Sequence, residues 1–170
     1  MLFRSWLAVG IVVIIQYLFP GVIVGQKRLK EMAVVVITMR EINRSNYLEC
    51  LRLTVAPEQR DFVSTNAFSL AQSRHYPETV ARPLYDPDTM VGFVMYCIAA
   101  NDDNYWVWRL MVDEKHQGKG YARQAMQLVI AEITRDNTRN KILISLHPAN
   151  MRAERLYESR GFPHGKNYRG

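Results

Sequence analysis

Residues 105–123 read YWVWRLMVDEKHQGKGYAR, and this stretch decides the fold. An apolar strand pattern ends at Val112, two glycines follow at positions 118 and 120, and apolar residues then recur at helical spacing. Glycines let the backbone turn sharply and approach a ligand, and a helix start presents free N–H groups. The stretch therefore predicts a strand–loop–helix unit that binds an anion such as a pyrophosphate. A plain tight turn is the alternative that the glycines alone leave open.

The flanking sequence predicts a mixed α/β sheet. Strict alternation places Trp106 and Trp108 on one face of their strand and Arg109 on the other. In the first helix, Tyr47, Leu48 and Leu51 form the predicted apolar side. Helices are predicted over 46–53, 57–74, 121–135 and 149–160, and strands over 33–40, 83–85, 90–99, 105–112 and 141–147.

The first 31 residues are predicted to lie outside the main domain, which then spans 32–170. Residues 6–25 carry no charge and are long enough for a membrane-spanning helix, with basic residues on both flanks. A membrane anchor that leaves the domain facing the cytoplasm is one alternative. The others are a signal peptide and a start codon assigned too early, with translation beginning at Met32 or Met39.

Charge and cysteine content narrow the classes of function. The net charge of +6 divides into +3 over residues 1–31, −2 over 32–138 and +5 over 139–170. The central part of the chain therefore has no excess of basic residues, and nucleic-acid binding is not expected. Cys50 and Cys97 lie far apart and predict buried thiols in a cytoplasmic protein. The four histidines have no ligand spacing, and no metal site is expected.

Two separated motifs resemble those of the GNAT superfamily of N-acetyltransferases. Gln117-x-x-Gly120-x-Ala122 matches the Q/R-x-x-G-x-G/A signature and follows an apolar strand, as in that superfamily. Asn150-x-x-Ala153-x-x-x-Tyr157, followed by GF at 161–162, is similar to its second conserved helix. The resemblance covers about 34–162, and in its details the chain is most similar to bacterial spermine/spermidine (diamine) acetyltransferases.

The resemblance implies a mixed, mostly antiparallel central sheet flanked by helices, with acetyl-CoA as co-substrate and no metal. Tyr157 would protonate the leaving thiolate, and Asn150 would hydrogen-bond the cofactor. The backbone of the preceding strand would pair with the pantetheine arm, and the loop N–H groups would hold the pyrophosphate. The remaining cofactor-binding residues implied in this way are Leu110, Met111, Val112, Gln117, Gly118, Lys119, Gly120, Tyr121, Ala122 and Arg123.

The implied reaction transfers acetyl from acetyl-CoA to a primary amine of a small polycation such as spermidine or spermine. Carboxylates and aromatics near the acceptor would attract such a cation, and the candidates are Glu58, Asp61, Glu78 and Trp106. The alternatives are an aminoglycoside-like antibiotic or a protein N-terminus as acceptor, or a CoA-binding protein without activity. A homodimer is a further expectation, and membrane contact is expected only if residues 6–25 form an anchor. No apolar alternation follows residue 162, so the sheet is predicted to be truncated at the C-terminus.

Overall fold

The computed structural model describes residues 37–98, 104–136, 138–139 and 141–159, together with the backbone of two strands at 12–18 and 167–168. Short 3-10 turns lie at Pro57–Gln59 and Glu114–His116. The strands are β1 (Val12–Leu18), β2 (Thr38–Met39), β3 (Thr79–Asp86), β4 (Thr89–Cys97), β5 (Tyr105–Val112), β6 (Lys141–Leu146) and β7 (Asn167–Tyr168). The helices are α1 (Tyr47–Arg52), α2 (Asn66–His75), α3 (Tyr121–Asp136) and α4 (Met151–Glu158).

All the described strands join one mixed sheet in the order β2-β3-β4-β5-β6-β1-β7. Strand β4 pairs antiparallel with β3 on one side and with β5 on the other. Strand β5 pairs in parallel with β6, and the connection between these two strands contains α3. The predicted α/β class with a mixed, mostly antiparallel sheet flanked by helices is therefore confirmed.

Helices cover both faces of the sheet. On one face, α3 buries Ala125, Met126, Val129 and Ile133 against the strands, and Tyr157 of α4 joins the same core cluster. On the other face, α1 and α2 cover a second cluster around Phe93, Met95 and Met111. The 3.6-residue spacing of the apolar residues in α3 explains why its limits agree with the sequence prediction.

The segment between α1 and β3 differs from the prediction. One helix was predicted over 57–74, whereas the structure has a 3-10 turn at Pro57–Gln59 and a separate helix from Asn66. The cause is Thr65, whose hydroxyl accepts a hydrogen bond from the N–H of Phe68 at 3.2 Å and caps α2.

Helix α1 also presents a different side to the core than predicted. Tyr47, Leu48 and Leu51 are exposed, and the buried residue of this helix is Cys50. A helix of six residues offers too few turns for apolar spacing to identify its buried side.

A β-bulge interrupts the alternation along β5. The register pairs Tyr96 with Val107 but Met95 with Arg109, so Trp108 is the extra residue. Beyond the bulge, each residue of β5 lies on the face opposite to the one that strict alternation predicts. Arg109 therefore faces α2, where its Nη2 donates to Oε1 of Gln72 at 3.4 Å. The prediction that Arg109 lies on the face opposite to Trp106 and Trp108 is therefore wrong.

The described part of the N-terminal apolar segment is a strand, where a membrane-spanning helix was one of the alternatives. Residues 13–18 of β1 pair antiparallel with β6, and residues 12 and 13 pair with β7. The run Val12, Val13, Ile14 and Ile15 is β-branched, which favours a strand over a helix. Across the described residues, no helix has the length and apolar character needed to cross a bilayer. The remainder of 1–36, which holds the predicted domain boundary, lies outside those residues.

Candidate active site

The sheet opens between β5 and β6. The two parallel strands pair at residues 105–107 and 142–144, and the described strands provide no partner for residues 108–112 on this side of β5. The bulge at Trp108 marks the point where pairing ends. Because bulges bend a strand and end its pairing, the opening follows from the register of β5.

The backbone of β5 presents hydrogen-bonding groups to this opening. The N–H of Asp113 donates to the carbonyl of Val91 on β4 at 2.9 Å. Since successive residues of a strand direct these groups to opposite sides, those of Leu110 and Val112 face the opening and those of Met111 face β4. Of the three residues predicted to pair with pantetheine, two thus direct their backbone N–H and C=O groups toward the place where a strand-like ligand would lie.

The glycine loop follows β5, at the C-terminal end of the unpaired stretch of that strand. Gly118 and Gly120 have φ values of 82° and 81°, a left-handed conformation that favours glycine. Around either glycine, an added Cβ would meet no atom of the described chain within 4 Å, so the loop surface is open to a ligand. The predicted loop residues Lys119, Ala122 and Arg123 continue from here into the first turn of α3, whose N–H groups are free by helix geometry.

Tyr121 contributes to the loop through its backbone. Its ring is buried, and its hydroxyl donates to the carboxylate of Asp86, the last residue of β3. This hydrogen bond raises the pKa of Tyr121. The side chain therefore anchors the start of α3, while the main chain remains available to a ligand.

The side chain of Gln117 joins four parts of the site. Its Nε2 donates to Oε1 of Gln59 at 2.7 Å and to the carbonyl of Val112 at 3.1 Å, and its Oε1 accepts from Nη1 of Arg152 at 3.1 Å. Gln59 belongs to the 3-10 turn, Val112 to β5 and Arg152 to α4. Gln117 thus links both walls of the opening and holds a guanidinium beside the glycine loop.

Asp113 fixes the chain at the end of β5. Its carboxylate is buried and accepts hydrogen bonds from the backbone N–H groups of Thr54 at 3.0 Å and Lys115 at 3.1 Å.

The segment between α1 and α2 also contacts the β6 side of the opening. Phe62 stacks on His147, which follows β6, with ring centroids 5.1 Å apart. The segment between α1 and α2 therefore bridges the β5 and β6 sides of the opening.

Tyr157 and Asn150 both belong to α4, which follows β6. Tyr157 is 6% exposed and packs in the core beside Ala153, and burial raises the pKa of its phenol above its usual 10.0. The side-chain oxygen of Asn150 accepts the N–H of Ala153 at 3.1 Å and caps α4. The side chain predicted to hydrogen-bond the cofactor thus also caps the helix.

The predicted acceptor residues are not brought together. Glu58 and Asp61 are exposed on the turn beside Gln117, near the C-terminal end of β5. Glu78 is half-buried at the opposite end, where its carbonyl accepts the N–H of Ile98. Trp106 is 7% exposed and packs against Cys97 as core. Trp108, in contrast, is half-buried and makes an edge contact with Tyr76, the residue that follows α2, with ring centroids 5.5 Å apart.

Several site residues were missed by the sequence analysis. Gln59, Phe62 and His147 have no local signal, because their roles arise from contacts between distant segments. Arg152 lies two residues after Asn150 and could have been noted as a cation on the first turn of α4. Within the described ranges, no three His, Cys, Asp or Glu side chains converge on a point suited to a metal ion.

A sequence model of the acetyltransferase (GNAT) family matches residues 36–162. Among curated proteins, the chain is 28% identical over 134 residues to a spermine/spermidine N(1)-acetyltransferase of Bacillus subtilis, covering 74% of this chain and 87% of that protein. It is 32% identical over 91 residues to an L-2,4-diaminobutyric acid acetyltransferase of Methylotuvimicrobium alcaliphilum, covering 53% of this chain and 52% of that protein.

Solved structures share the fold. A spermidine N-acetyltransferase from Vibrio cholerae, in complex with CoA and spermine, superposes with a TM-score of 0.60 at 17% identity, covering 78% of this chain and 90% of that one. At this identity the likeness establishes the fold.

Proposed function

The chain belongs to the GNAT acetyltransferase family, and we propose that it transfers acetyl from acetyl-CoA to a primary amine of a small polycation such as spermidine or spermine. The observation that carries the acetyl-transfer reaction is the opening between β5 and β6, bordered by a glycine loop at a helix start, which Gln117 and Arg152 link to the helix that carries Tyr157. The acceptor class follows the spermine/spermidine relative, whose similarity extends over 134 residues.

The described residues fit acetyl-CoA. When bound, it supplies an acetyl group activated as a thioester. The backbone of Leu110 and Val112 would bind the pantetheine amides like an added strand. The Val112 carbonyl would then accept a hydrogen bond from the cofactor, either together with or in place of the one from Gln117 Nε2. The N–H groups of residues 117–123 would bind the pyrophosphate, and Arg152 would add a positive charge there.

Tyr157 would hold the proton that the leaving thiolate needs. Burial raises its pKa, which keeps the phenol protonated at neutral pH and able to donate from its hydroxyl oxygen. The N–H groups that face the opening from β5 would polarise the thioester carbonyl as negative charge develops on its oxygen. A neutral amine would then attack the thioester carbon directly, so that the carbon–nitrogen bond forms and the carbon–sulfur bond breaks. The amine nitrogen loses one proton to solvent, the thiolate gains one from Tyr157, and no covalent enzyme intermediate is required.

The acceptor would enter between α2 and β5. Trp108 and Tyr76 form an aromatic pair there, and aromatic faces attract cations. Glu58 and Asp61 at the other end of β5 are exposed, so they would act by attracting a cation over a distance.

A diamino acid is a second acceptor class, favoured by Arg109. Its guanidinium is held on the α2 face by the Trp108 carbonyl at 2.8 Å and by Gln72, and burial lowers its pKa. A half-buried cation opposes a polyamine and complements a carboxylate. The diaminobutyric acid acetyltransferase among the relatives acts on a compound of that class, as its name states.

Location and assembly belong to the same proposal. Cys50 and Cys97 are both buried free thiols, which suits the reducing cytoplasm. Tyr47, Leu48 and Leu51 expose an apolar side of α1, which a second copy of the chain could cover in a homodimer.

An acceptor panel tests the proposed substrate. The full chain is supplied with acetyl-CoA and, in separate reactions, spermidine, spermine, 2,4-diaminobutyrate, an aminoglycoside and a peptide with a free N-terminus. We expect the highest kcat/KM with spermidine or spermine. A preference for diaminobutyrate that Arg109→Gln abolishes would transfer the assignment to diamino acids, and CoA binding without transfer to any amine would contradict the enzyme assignment.

A further inference from the structure

Strand β6 depends on β1 for most of its pairing. On one side, β5 pairs with residues 142–144 alone. On the other side, each residue of β6 from Lys141 to Leu146 has a partner on β1, from Leu18 back to Val13. Without β1, the long edge of β6 would present unpaired N–H and C=O groups, which is a template for aggregation.

The register of this pairing suits the core. Val13, Ile15 and Tyr17 are the register partners of Leu146, Ile144 and Ile142. These three β6 residues are buried in the cluster that packs on α3. Cross-strand partners share a face of the sheet, so an apolar triplet of β1 lies at register positions opposite an apolar triplet of β6. A slip by one residue would place Gln16 and Ile14 at these positions instead, which specifies the register.

We infer that the edge of β6 is the docking site of this chain's own N-terminal segment, so that residues 12–18 form an integral strand of the acetyltransferase domain. These residues lie outside the 36–162 range that the family model matches. The inference goes beyond the proposed reaction and holds for any acceptor.

The chain is long enough for this docking within one molecule. From β1 to β2 the sheet order leaves five interstrand spacings, roughly 24 Å. Leu18 and Ile37 are separated by nineteen residue steps, which can extend to about 60 Å. An intramolecular connection therefore spans the sheet without requiring a second copy.

Docking also positions the proposed acid. Strand β6 leads through His147 and the cap residue Asn150 into α4, which carries Tyr157. Because β5 holds β6 along a short stretch only, β1 provides the longer ladder that fixes this half of the site. The role of β1 is one of positioning, since it acts through β6 and α4.

Cysteine cross-linking in the full chain tests the register directly. Ile14 and Ser145 are register partners, and such partners have Cα atoms about 4.5 to 5.5 Å apart, within the range of a disulfide. The matched control pairs Ile14 with Ile144, which is one residue out of register because the register partner of Ile144 is Ile15.

We expect Ile14→Cys/Ser145→Cys to oxidise to an intramolecular disulfide and Ile14→Cys/Ile144→Cys to remain reduced under the same conditions. Equal oxidation of the two pairs, no oxidation of either, or a disulfide between two copies of the chain would overturn the inference.

Deletion of residues 1–31 provides the second test. We expect the shortened chain to melt several degrees lower than the full chain or to aggregate, and its cofactor affinity to fall with the order of α4. A shortened chain with the melting temperature and acetyl-CoA affinity of the full chain would overturn the inference. If the shortened chain does not fold, the disulfide test still decides the register.

Discussion

Gly92 controls how closely β4 approaches the strand that would bind the cofactor. It pairs with Val112, and its position leaves no room for a side chain. A Cβ added there would lie 2.5 Å from the carbonyl oxygen of Met111, 3.2 Å from Cδ1 of Leu84 and 3.3 Å from Cα of Val112. The closest of these atoms belongs to the backbone, so rotation of a side chain cannot relieve the contact.

We therefore predict that Gly92→Ala displaces β5 at Met111. Since Cβ contacts below 3.0 Å are not tolerated, the 2.5 Å contact requires a shift of at least 0.5 Å, the difference between the two. Overpacking of this kind costs about 1–3 kcal/mol. For a chain of this length each kcal/mol corresponds to roughly 2–4 °C, so the melting temperature should fall by about 2–12 °C.

The same shift should move the backbone groups of Leu110 and Val112 away from their positions facing the opening, and the KM for acetyl-CoA should rise. Melting curves and initial rates at varied acetyl-CoA measure the two effects. The matched control is Gly92→Ala/Leu84→Val, which removes the side-chain contact and leaves the backbone contact. Wild-type stability in Gly92→Ala, or its recovery in the double variant, would refute the reasoning.

The remaining predictions concern the acid, the loop and the buried thiol. Tyr157→Phe should lower kcat with little change in the affinity for acetyl-CoA. The control is Tyr96→Phe, at another buried core tyrosine, which should keep the wild-type kcat. Equal effects of the two substitutions on kcat would show that Tyr157 takes no part in the chemistry. Because burial raises the pKa of Tyr157 above 10.0, the wild-type kcat should show no loss from its ionisation below pH 10.0. Gly120→Val should weaken acetyl-CoA binding, since the added side chain enters open space at the loop; unchanged affinity measured by calorimetry would contradict the site. Burial raises the pKa of Cys50 from 9.0 to about 12, so its contribution to stability is complete below pH 9.0 and is lost as the pH rises toward 12. Cys50→Ala should therefore flatten the alkaline decline in melting temperature, and an unchanged slope would contradict this cause.

Local patterns in the sequence predicted the elements that position the cofactor loop. The apolar spacing of α3 is repeated over several turns, and β5 is a run of mostly apolar and β-favouring residues, so the sequence specifies the type and the limits of both elements. Gly118 and Gly120 were identified because glycine lets the backbone turn sharply and approach a ligand before a helix, and both adopt a positive φ.

Features set by tertiary contacts could not be read from the sequence. The bulge at Trp108 depends on pairing with β4, and it reverses the face of Arg109. The links of Gln117 to Gln59 and Arg152 join residues far apart in the chain. Residues 12–18 lie within the uncharged run 6–25, whose uniform apolar character has no period that separates a strand from a helix, and the pairing with β6 decides between them.

Binding of acetyl-CoA to the full chain tests the central claim most directly. The claim is that the opening between β5 and β6, with the loop at residues 117–123, is an acetyl-CoA site. At about a hundred times its dissociation constant, a ligand stabilises the folded state by roughly 2.7 kcal/mol, which predicts a rise in melting temperature of about 5–11 °C. A cooperative melt at the same temperature with and without acetyl-CoA would contradict the claim.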